Sequence, residues 1–372
     1  MTAIRVKGLF HRYGTGPHDR PSVDNVSFEV EDGEFYTLLG PSGCGKTTTL
    51  RCVAGLEDPT DGVIELGGET VVQGRFVVPA NKRDIGLVFQ DYAVWPHMTV
   101  FENVAYPLRV GRATPRAQIR SRVEEALTLV GLERFAARRA TQLSGGQQQR
   151  LSLARALVRQ PKVLLLDEPL SNLDAKLREQ MRAELRSIQR RLRIATLFVT
   201  HDQVEALSMS NRIAVMREGR IVQEGTPREI YQSPNSEFVA RFVGVATFVH
   251  GTVAQDTGAQ GEAVVDTSMG PLRTTTHRPL RAAEAVTVVV RPEDARFATG
   301  AAQDVNRFEG QVDAAYFIGD AVDYRVRVGD EVVRVRGDGR TELRRGDRVA
   351  ITLPVPACTL LRDEEPEPVQ VI

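Results

Sequence analysis

The sequence has little of several things that would each point to a class of protein. Among its 372 residues are only three cysteines, Cys44, Cys52 and Cys358. That is too few for a disulfide framework, and no pair has the spacing of a metal site. No apolar run approaches the ~20 residues a membrane-spanning helix needs. The longest strings, such as Val163–Leu166, have the length of a buried strand. Met1 to Phe10 holds no apolar segment followed by a small-residue cleavage site, so no secretory signal is read there. Neither sign of charge dominates. Lysine plus arginine number 48, as do aspartate plus glutamate, which removes the long-range field that would favour nucleic acid or anionic lipid. What remains is an ordinary globular composition, 42% hydrophobic and 26% charged. The expectation is a cytoplasmic chain of two or three domains whose only route to a membrane is a partner.

The pattern along the chain changes three times. From Ile4 to about Ile64 it is strand-like and punctuated by glycine, with Ser27–Val30 and Phe35–Leu39 flanking the Glu31-Asp32-Gly33 turn as neighbouring strands would. Lys46 to Ala54 reads as a helix. Between Pro115 and Gly131 the apolar residues Ile119, Val123, Leu127 and Val130 recur at helical spacing, which makes the middle block, about 92–160, a mostly helical insertion. Helix follows over Gln147–Arg159, then the strand Val163–Leu166, a helix over Lys176–Leu192 and the strand Thr196–Thr200. This alternation implies a largely parallel sheet covered by helices. Arg212–Met216 and Arg220–Gln223 predict a hairpin around Glu218-Gly219. Near Gly244 the texture turns to period two, clearest at Val322, Tyr324, Val326 and Val328. Glycine turns are expected at Gly310, Gly319, Gly329 and Gly346, and a solvated acidic tail at Asp363–Pro368.

Chemistry enters at Gly40-Pro41-Ser42-Gly43-Cys44-Gly45-Lys46-Thr47, followed by Thr48. This is the phosphate loop G-x-x-x-x-G-K-[ST] in full, between an apolar strand and a helix, the context it requires. Backbone N–H groups and a helix N-terminus attract phosphate, Lys46 neutralises the β- and γ-phosphates, and the Thr47 hydroxyl ligates Mg²⁺. Cys44 is a small residue of the loop with no redox role. The second half of such a site is Val163-Leu164-Leu165-Leu166-Asp167-Glu168, a buried strand ending in two carboxylates. Asp167 would hold Mg²⁺ and Glu168 would polarise the attacking water of a nucleotide hydrolase.

At Leu143-Ser144-Gly145-Gly146-Gln147 the sequence resembles the signature of the ATP-binding cassette ATPases. Physically this is a second anion site at a helix N-terminus, unnecessary for phosphates already held by Gly40–Thr47. The resemblance implies that it caps the ATP of an opposite subunit, so that a homodimer sandwiches two nucleotides. It further implies that Tyr13 stacks on adenine and that Gln90 joins Mg²⁺ and water to the helical insertion. Asp174, in Ser171-Asn172-Leu173-Asp174, would communicate across the dimer, and His201 would contact the γ-phosphate and orient Glu168.

From about Val245 the chain is similar to the oligomer-binding-fold-like regulatory domains of importer ATPases, with Arg291-Pro292-Glu293-Asp294 resembling a string frequent there. The expected architecture is an α/β P-loop ATPase over 1–244 with a helical insertion, followed by an all-β, barrel-like domain over 245–372. The expected role is an ATPase on the inner face of the membrane that drives permease subunits supplied by a solute-binding protein. The stretch from Tyr92 to Val104 looks most like the ferric-iron, polyamine or phosphonate group, with sugar import as the alternative. The rival reading, a cassette ATPase of DNA repair or translation, usually carries two cassettes or a long coiled coil. Tyr92–Leu108 is rich in aromatic residues for a chain with one tryptophan, and predicts a groove that grips the permease through residues such as Trp95 and Met98.

Overall fold

Strands in which every residue is buried form the centre of the first half. The computed structural model describes residues 1–14, 16, 20–110, 114–276, 278–298, 305–340 and 342–361. The acidic stretch 363–368 lies outside them. In chain order the first elements are β1 (Thr2–His11), β2 (Val23–Glu31), β3 (Phe35–Leu39), α1 (Lys46–Ala54), β4 (Asp61–Leu66), β5 (Glu69–Gln73), β6 (Phe76–Val77) and β7 (Ile85–Val88). The helical block supplies α2 (Val100–Val110), α3 (Arg116–Leu129) and α4 (Gly145–Leu157). After it come β8 (Val163–Asp167), α5 (Ala175–Leu192), β9 (Ala195–Thr200), α6 (Gln203–Met209), β10 (Arg212–Arg217) and β11 (Arg220–Gly225).

These strands form two sheets. An antiparallel one runs β2-β1-β4-β5-β6, and a six-stranded one runs β11-β10-β3-β9-β8-β7. In the second, every pairing from β10 to β7 is parallel, and only β11 is antiparallel, closing the expected hairpin on β10. Parallel strands covered on both faces read as unbroken apolar runs, and β3, β8 and β9 are buried at every position. Alternate side chains serve opposite layers. Val163 and Leu165 pack with Ile4, Phe28, Tyr36 and α1, while Leu164 and Leu166 pack with Val104, Leu127, Leu151 and Leu185 of the helical side. One expected pairing fails here: β2 and β3, on either side of Glu31-Asp32-Gly33, belong to different sheets. The turn carries the chain from one layer to the other rather than closing a hairpin. Helix α4 also begins at Gly145, before the predicted Gln147.

The chain divides into two compact units, Met1–Pro227 and a second from Arg228 onward. The second unit therefore includes α7 (Pro227–Gln232) from Arg228 on, and α8 (Glu237–Phe242), which precede the change of texture near Gly244. Arg291 explains why: its buried guanidinium donates to the carbonyls of Tyr231 (2.9 Å), Ala240 (3.1 Å) and Val245 (3.2 Å). The strands are β12 (Thr247–Val253), β13 (Gly261–Thr267), β14 (Gly270–Thr276), β15 (Ala285–Val290), β16 (Arg296–Phe297), β17 (Arg307–Phe317), β18 (Ala321–Val328), β19 (Glu331–Asp338), β20 (Arg348–Thr352) and β21 (Thr359–Leu360). They make a closed barrel, β12-β13-β14-β21-β15, and a five-stranded sheet, β16-β20-β17-β18-β19. Val322, Tyr324, Val326 and Val328 are buried as the alternation requires. Gly319, Gly329 and Gly346 adopt positive φ, but Gly310 is no turn; it lies inside β17, paired with Val349 of β20.

Among the described residues, each large apolar cluster lies within one unit. A chain ending at Pro227 should therefore fold cooperatively by itself. A single thermal transition with native near-UV circular dichroism is the expected result, and a soluble but non-cooperative fragment contradicts it.

Candidate functional site

In an open parallel sheet, ligands bind outside the carboxyl ends of the strands. Three neighbouring strands, β3, β9 and β8, end at Leu39, Thr200 and Asp167. The residues that follow, Gly40–Thr48, His201 and Glu168, are thereby gathered at one edge.

The glycine-rich loop is forced by its backbone. Gly45, the N-cap of α1, sits at φ 105°, and a Cβ there would run into the Ser22 carbonyl. The first turn of α1 carries no acidic residue, so its N–H groups present an uncompensated positive end to an anion. Lys46 is 4% exposed and donates from Nζ to the carbonyls of Gly40 (2.8 Å) and Pro41 (2.9 Å). Cys44 is buried beneath the loop, and burial raises its thiol pKa against the pull of Lys46, which keeps it protonated at neutral pH.

The second half of the site meets this loop directly. Thr47 Oγ1 donates to Asp167 Oδ1 at 3.0 Å. Burial raises the Asp167 carboxyl above the ordinary range, opposed by that hydrogen bond and by Arg51 and Lys46. A hydroxyl and a carboxylate this close, with oxygen donors only, fit a hard divalent cation that keeps several waters. Glu168 adopts φ 43°, a left-handed conformation that costs a non-glycine residue roughly 1–3 kcal/mol and clusters at active sites. Its N–H extends the β8–β9 ladder to Val199 (3.0 Å), and its Oε2 lies 2.9 Å from Nδ1 of His201. Gln90 follows β7 and is exposed; its carbonyl accepts from Asn172 Nδ2 at 3.1 Å, tying that loop to the one after Glu168.

Tyr13 is 66% exposed, with its hydroxyl fixed by Glu57 (2.5 Å) and 3.1 Å from Thr48 Oγ1, and its ring meets the His11 ring edge-on at 4.7 Å beside the first turn of α1. Ser144 caps α4, and its N–H donates to Oε1 of Gln147 at 3.0 Å. The structure seats this segment against the start of α5: a Cβ on Gly146 would come within 2.9 Å of Leu177, and the nearest neighbour of Gly145 is Leu173. Asp174 caps α5 through Leu177 N–H at 2.9 Å. Of the aromatic stretch, Tyr92 is buried and Val94 and Phe101 pack on the core. Trp95 is half-buried, 4.5 Å from the Tyr106 ring, and Met98, three residues on, is half-buried too.

Two arginines escaped the sequence reading. Arg155 of α4 donates to the carbonyls of Ala93 (2.6 Å) and Tyr92 (2.9 Å), both at positive φ, and lies 4.7 Å from the Trp95 ring centre. Arg178 of α5 donates to Leu173 O (3.1 Å) and to Asp202 (3.2 Å). A charge on an amphipathic helix reads as solvated surface, and backbone carbonyl partners leave no mark in a sequence.

The fold and this edge define a P-loop ATPase with a helical insertion. Comparison with known proteins narrows the class. A family profile described as ABC transporter matches residues 23–171, and one described as TOBE domain matches 288–361. The chain is 43% identical over 363 residues to the spermidine/putrescine import ATP-binding protein PotA of Pseudomonas fluorescens, covering 96% of this chain and 98% of that one. It is 52% identical over 247 residues to the trehalose/maltose import ATP-binding protein MalK of Thermococcus litoralis, covering 66% and 65%. A dimeric ATP-binding cassette solved in a post-hydrolysis state with ADP and Pi superposes with a TM-score of 0.53 at 32% identity, over 60% of this chain and 99% of that one. The chain belongs to the ATP-binding cassette transporter family, as an ATP-hydrolysing import subunit with a C-terminal TOBE domain.

Asp167 supplies a test of the site's electrostatics. Its pKa is raised in the folded chain, so its ionisation opposes folding at neutral pH, and the penalty is relieved as pH falls through the folded pKa. Asp167→Asn should therefore raise the melting temperature of the nucleotide-free chain at pH 7, with the gap closing in acid. A variant that melts lower at every pH contradicts this.

Proposed function

We propose that two copies of this chain form the ATPase of a polyamine importer, docked on permease subunits at the inner face of the membrane. The observation that carries the hydrolytic part is the 2.9 Å contact between Glu168 and His201 beside the Gly40–Thr48 loop. Lys46 exchanges its two carbonyl partners for β- and γ-phosphate oxygens, and the α1 N-terminus and loop N–H groups hold the rest of the triphosphate. The exposed ring of Tyr13 stacks on adenine. Glu168 takes the proton of the attacking water, in the role of a positioned general base worth roughly 10²–10⁴-fold. His201 fixes the Glu168 rotamer and donates to the γ-phosphate. Thr47, Asp167 and Gln90 would hold Mg²⁺, which neutralises charge on the transferring phosphoryl group. Ser144–Gln147 closes over the partner's ATP, and Asp174 passes the state of one site to the other. The dimeric cassette with ADP and Pi supports this composite arrangement by likeness of fold.

The solute assignment rests on how far each relative extends. The polyamine ATPase aligns over nearly the whole chain, second unit included, whereas the sugar ATPase aligns over 66% of it. The deciding experiment is ATP hydrolysis by the subunit reconstituted in liposomes with its permease and solute-binding protein. Stimulation by spermidine or putrescine is expected; stimulation by maltose or trehalose alone would assign the sugar alternative.

The coupling surface is tested in the same liposomes. Trp95 lies between Arg155 and Tyr106, next to the strained Tyr92-Ala93 pair that follows Gln90. Trp95→Glu should leave ATP hydrolysis by the isolated subunit within about twofold of normal and abolish solute-stimulated turnover. Normal stimulated hydrolysis and uptake contradict that role.

A further inference from the structure

His201 is held from both sides, and both supports lead to one side chain. On one flank, Thr200 Oγ1 donates to Oε2 of Glu205 at 2.6 Å. On the other, Asp202 N–H donates to Thr200 Oγ1 at 2.9 Å, and Asp202 Oδ1 caps α6 by accepting from Val204 and Glu205 N–H at 2.8 and 3.1 Å. The remaining Asp202 oxygen meets Arg178 Nη1 at 3.2 Å, and Oε1 of Glu205, a residue 3% exposed, faces Arg178 Nε at 4.0 Å. Arg178 Nη2 donates to the carbonyl of Leu173, in the 171–174 loop, at 3.1 Å. The guanidinium thus spans the loop after Glu168 and the loop after β9.

The arrangement is not saturated. Arg178 Nε is buried with no hydrogen-bond acceptor, and a cavity of about 30 Å³ lies among Glu168, Ser171, Arg178, Thr200, His201, Asp202 and Glu205. A small shift of the 171–174 loop can therefore bring Nε onto Glu205, and one Arg serving the buried Glu205 and the half-buried Asp202 converts that shift into a change at His201.

We propose that Arg178 is a positioning residue for hydrolysis, setting His201 against Glu168 and making that geometry follow the 171–174 loop. This rests on the hydrolytic roles given above to Glu168 and His201. Because it touches neither nucleotide nor water, its loss slows the chemical step and spares binding.

The test is steady-state ATP hydrolysis by full-length variants, with nucleotide affinity and melting temperature measured in parallel. Arg178→Gln should lower kcat by between about tenfold and about 10²-fold, the effect of a misplaced reacting group. Its KM and fluorescent-ATP affinity should stay within about twofold. Arg178→Gln combined with Asp202→Asn should be no slower than Arg178→Gln alone, since both act through one contact. Asp202→Asn keeps an oxygen to cap α6, and it carries the same expectation if Arg178→Gln does not fold. Unchanged kcat, a parallel loss of affinity and stability, or additive effects in the double variant overturn the proposal. Glu168→Gln serves as control: if it is inactive while Arg178→Gln is normal, this inference alone fails, and if it turns over normally, the reading beneath it fails.

Discussion

The chemistry of this chain depends on where three adjacent parallel strands stop. β3, β9 and β8 come from distant parts of the sequence, yet their ends at Leu39, Thr200 and Asp167 share one edge because each strand is buried on both faces and has one register with its neighbours. Burial also answers the strain at the site. Holding Glu168 at φ 43° costs roughly 1–3 kcal/mol, and a fully buried leucine contributes about 1.5–3 kcal/mol. Leu165 and Leu166, three and two residues before it and 0% exposed, are sufficient to offset that cost. The end of β8 can thus present Asp167 and, just beyond it, Glu168 in an unfavourable backbone conformation without loosening the sheet.

The loops at that edge are tied to one another by side-chain hydrogen bonds. Asn172 holds the Gln90 carbonyl, Ser171 donates to the Glu168 carbonyl at 2.9 Å, Arg155 clasps Tyr92 and Ala93, and Arg178 joins Leu173 to Asp202. Each link crosses between segments that the resemblance assigns to nucleotide, dimer or permease. These contacts are polar, exposed in part and few in number, which lets the edge rearrange while the strands stay fixed.

What could be read from the sequence follows from how local each signal is. Helix α1 has the predicted bounds, Lys46–Ala54, because its start is set by the glycine loop and its end by Gly55. The central strands were legible because burial on both faces leaves them almost wholly apolar, with only threonines such as Thr37 and Thr196 inside the runs. Pairing was not legible: nothing in Ser27–Leu39 tells whether a turn joins two strands of one sheet or two layers. Gly310 looked like a turn because glycine favours turns, but it lies within a strand. Tyr13 could be named from likeness, whereas its hydroxyl contacts with Glu57 and Thr48 required coordinates. Arg155 and Arg178 were missed for the same reason, since their partners are distant acids and main-chain oxygens.

The account's central claim is that Glu168 removes the proton of the attacking water within a site completed by a second copy of the chain. Sedimentation and single-turnover hydrolysis of Glu168→Gln with Mg-ATP address both parts together. Retained ATP binding, turnover lower by roughly 10²–10⁴-fold and a stable ATP-dependent dimer are the predicted result. A variant that stays monomeric with ATP bound, or that hydrolyses at the native rate, would contradict it.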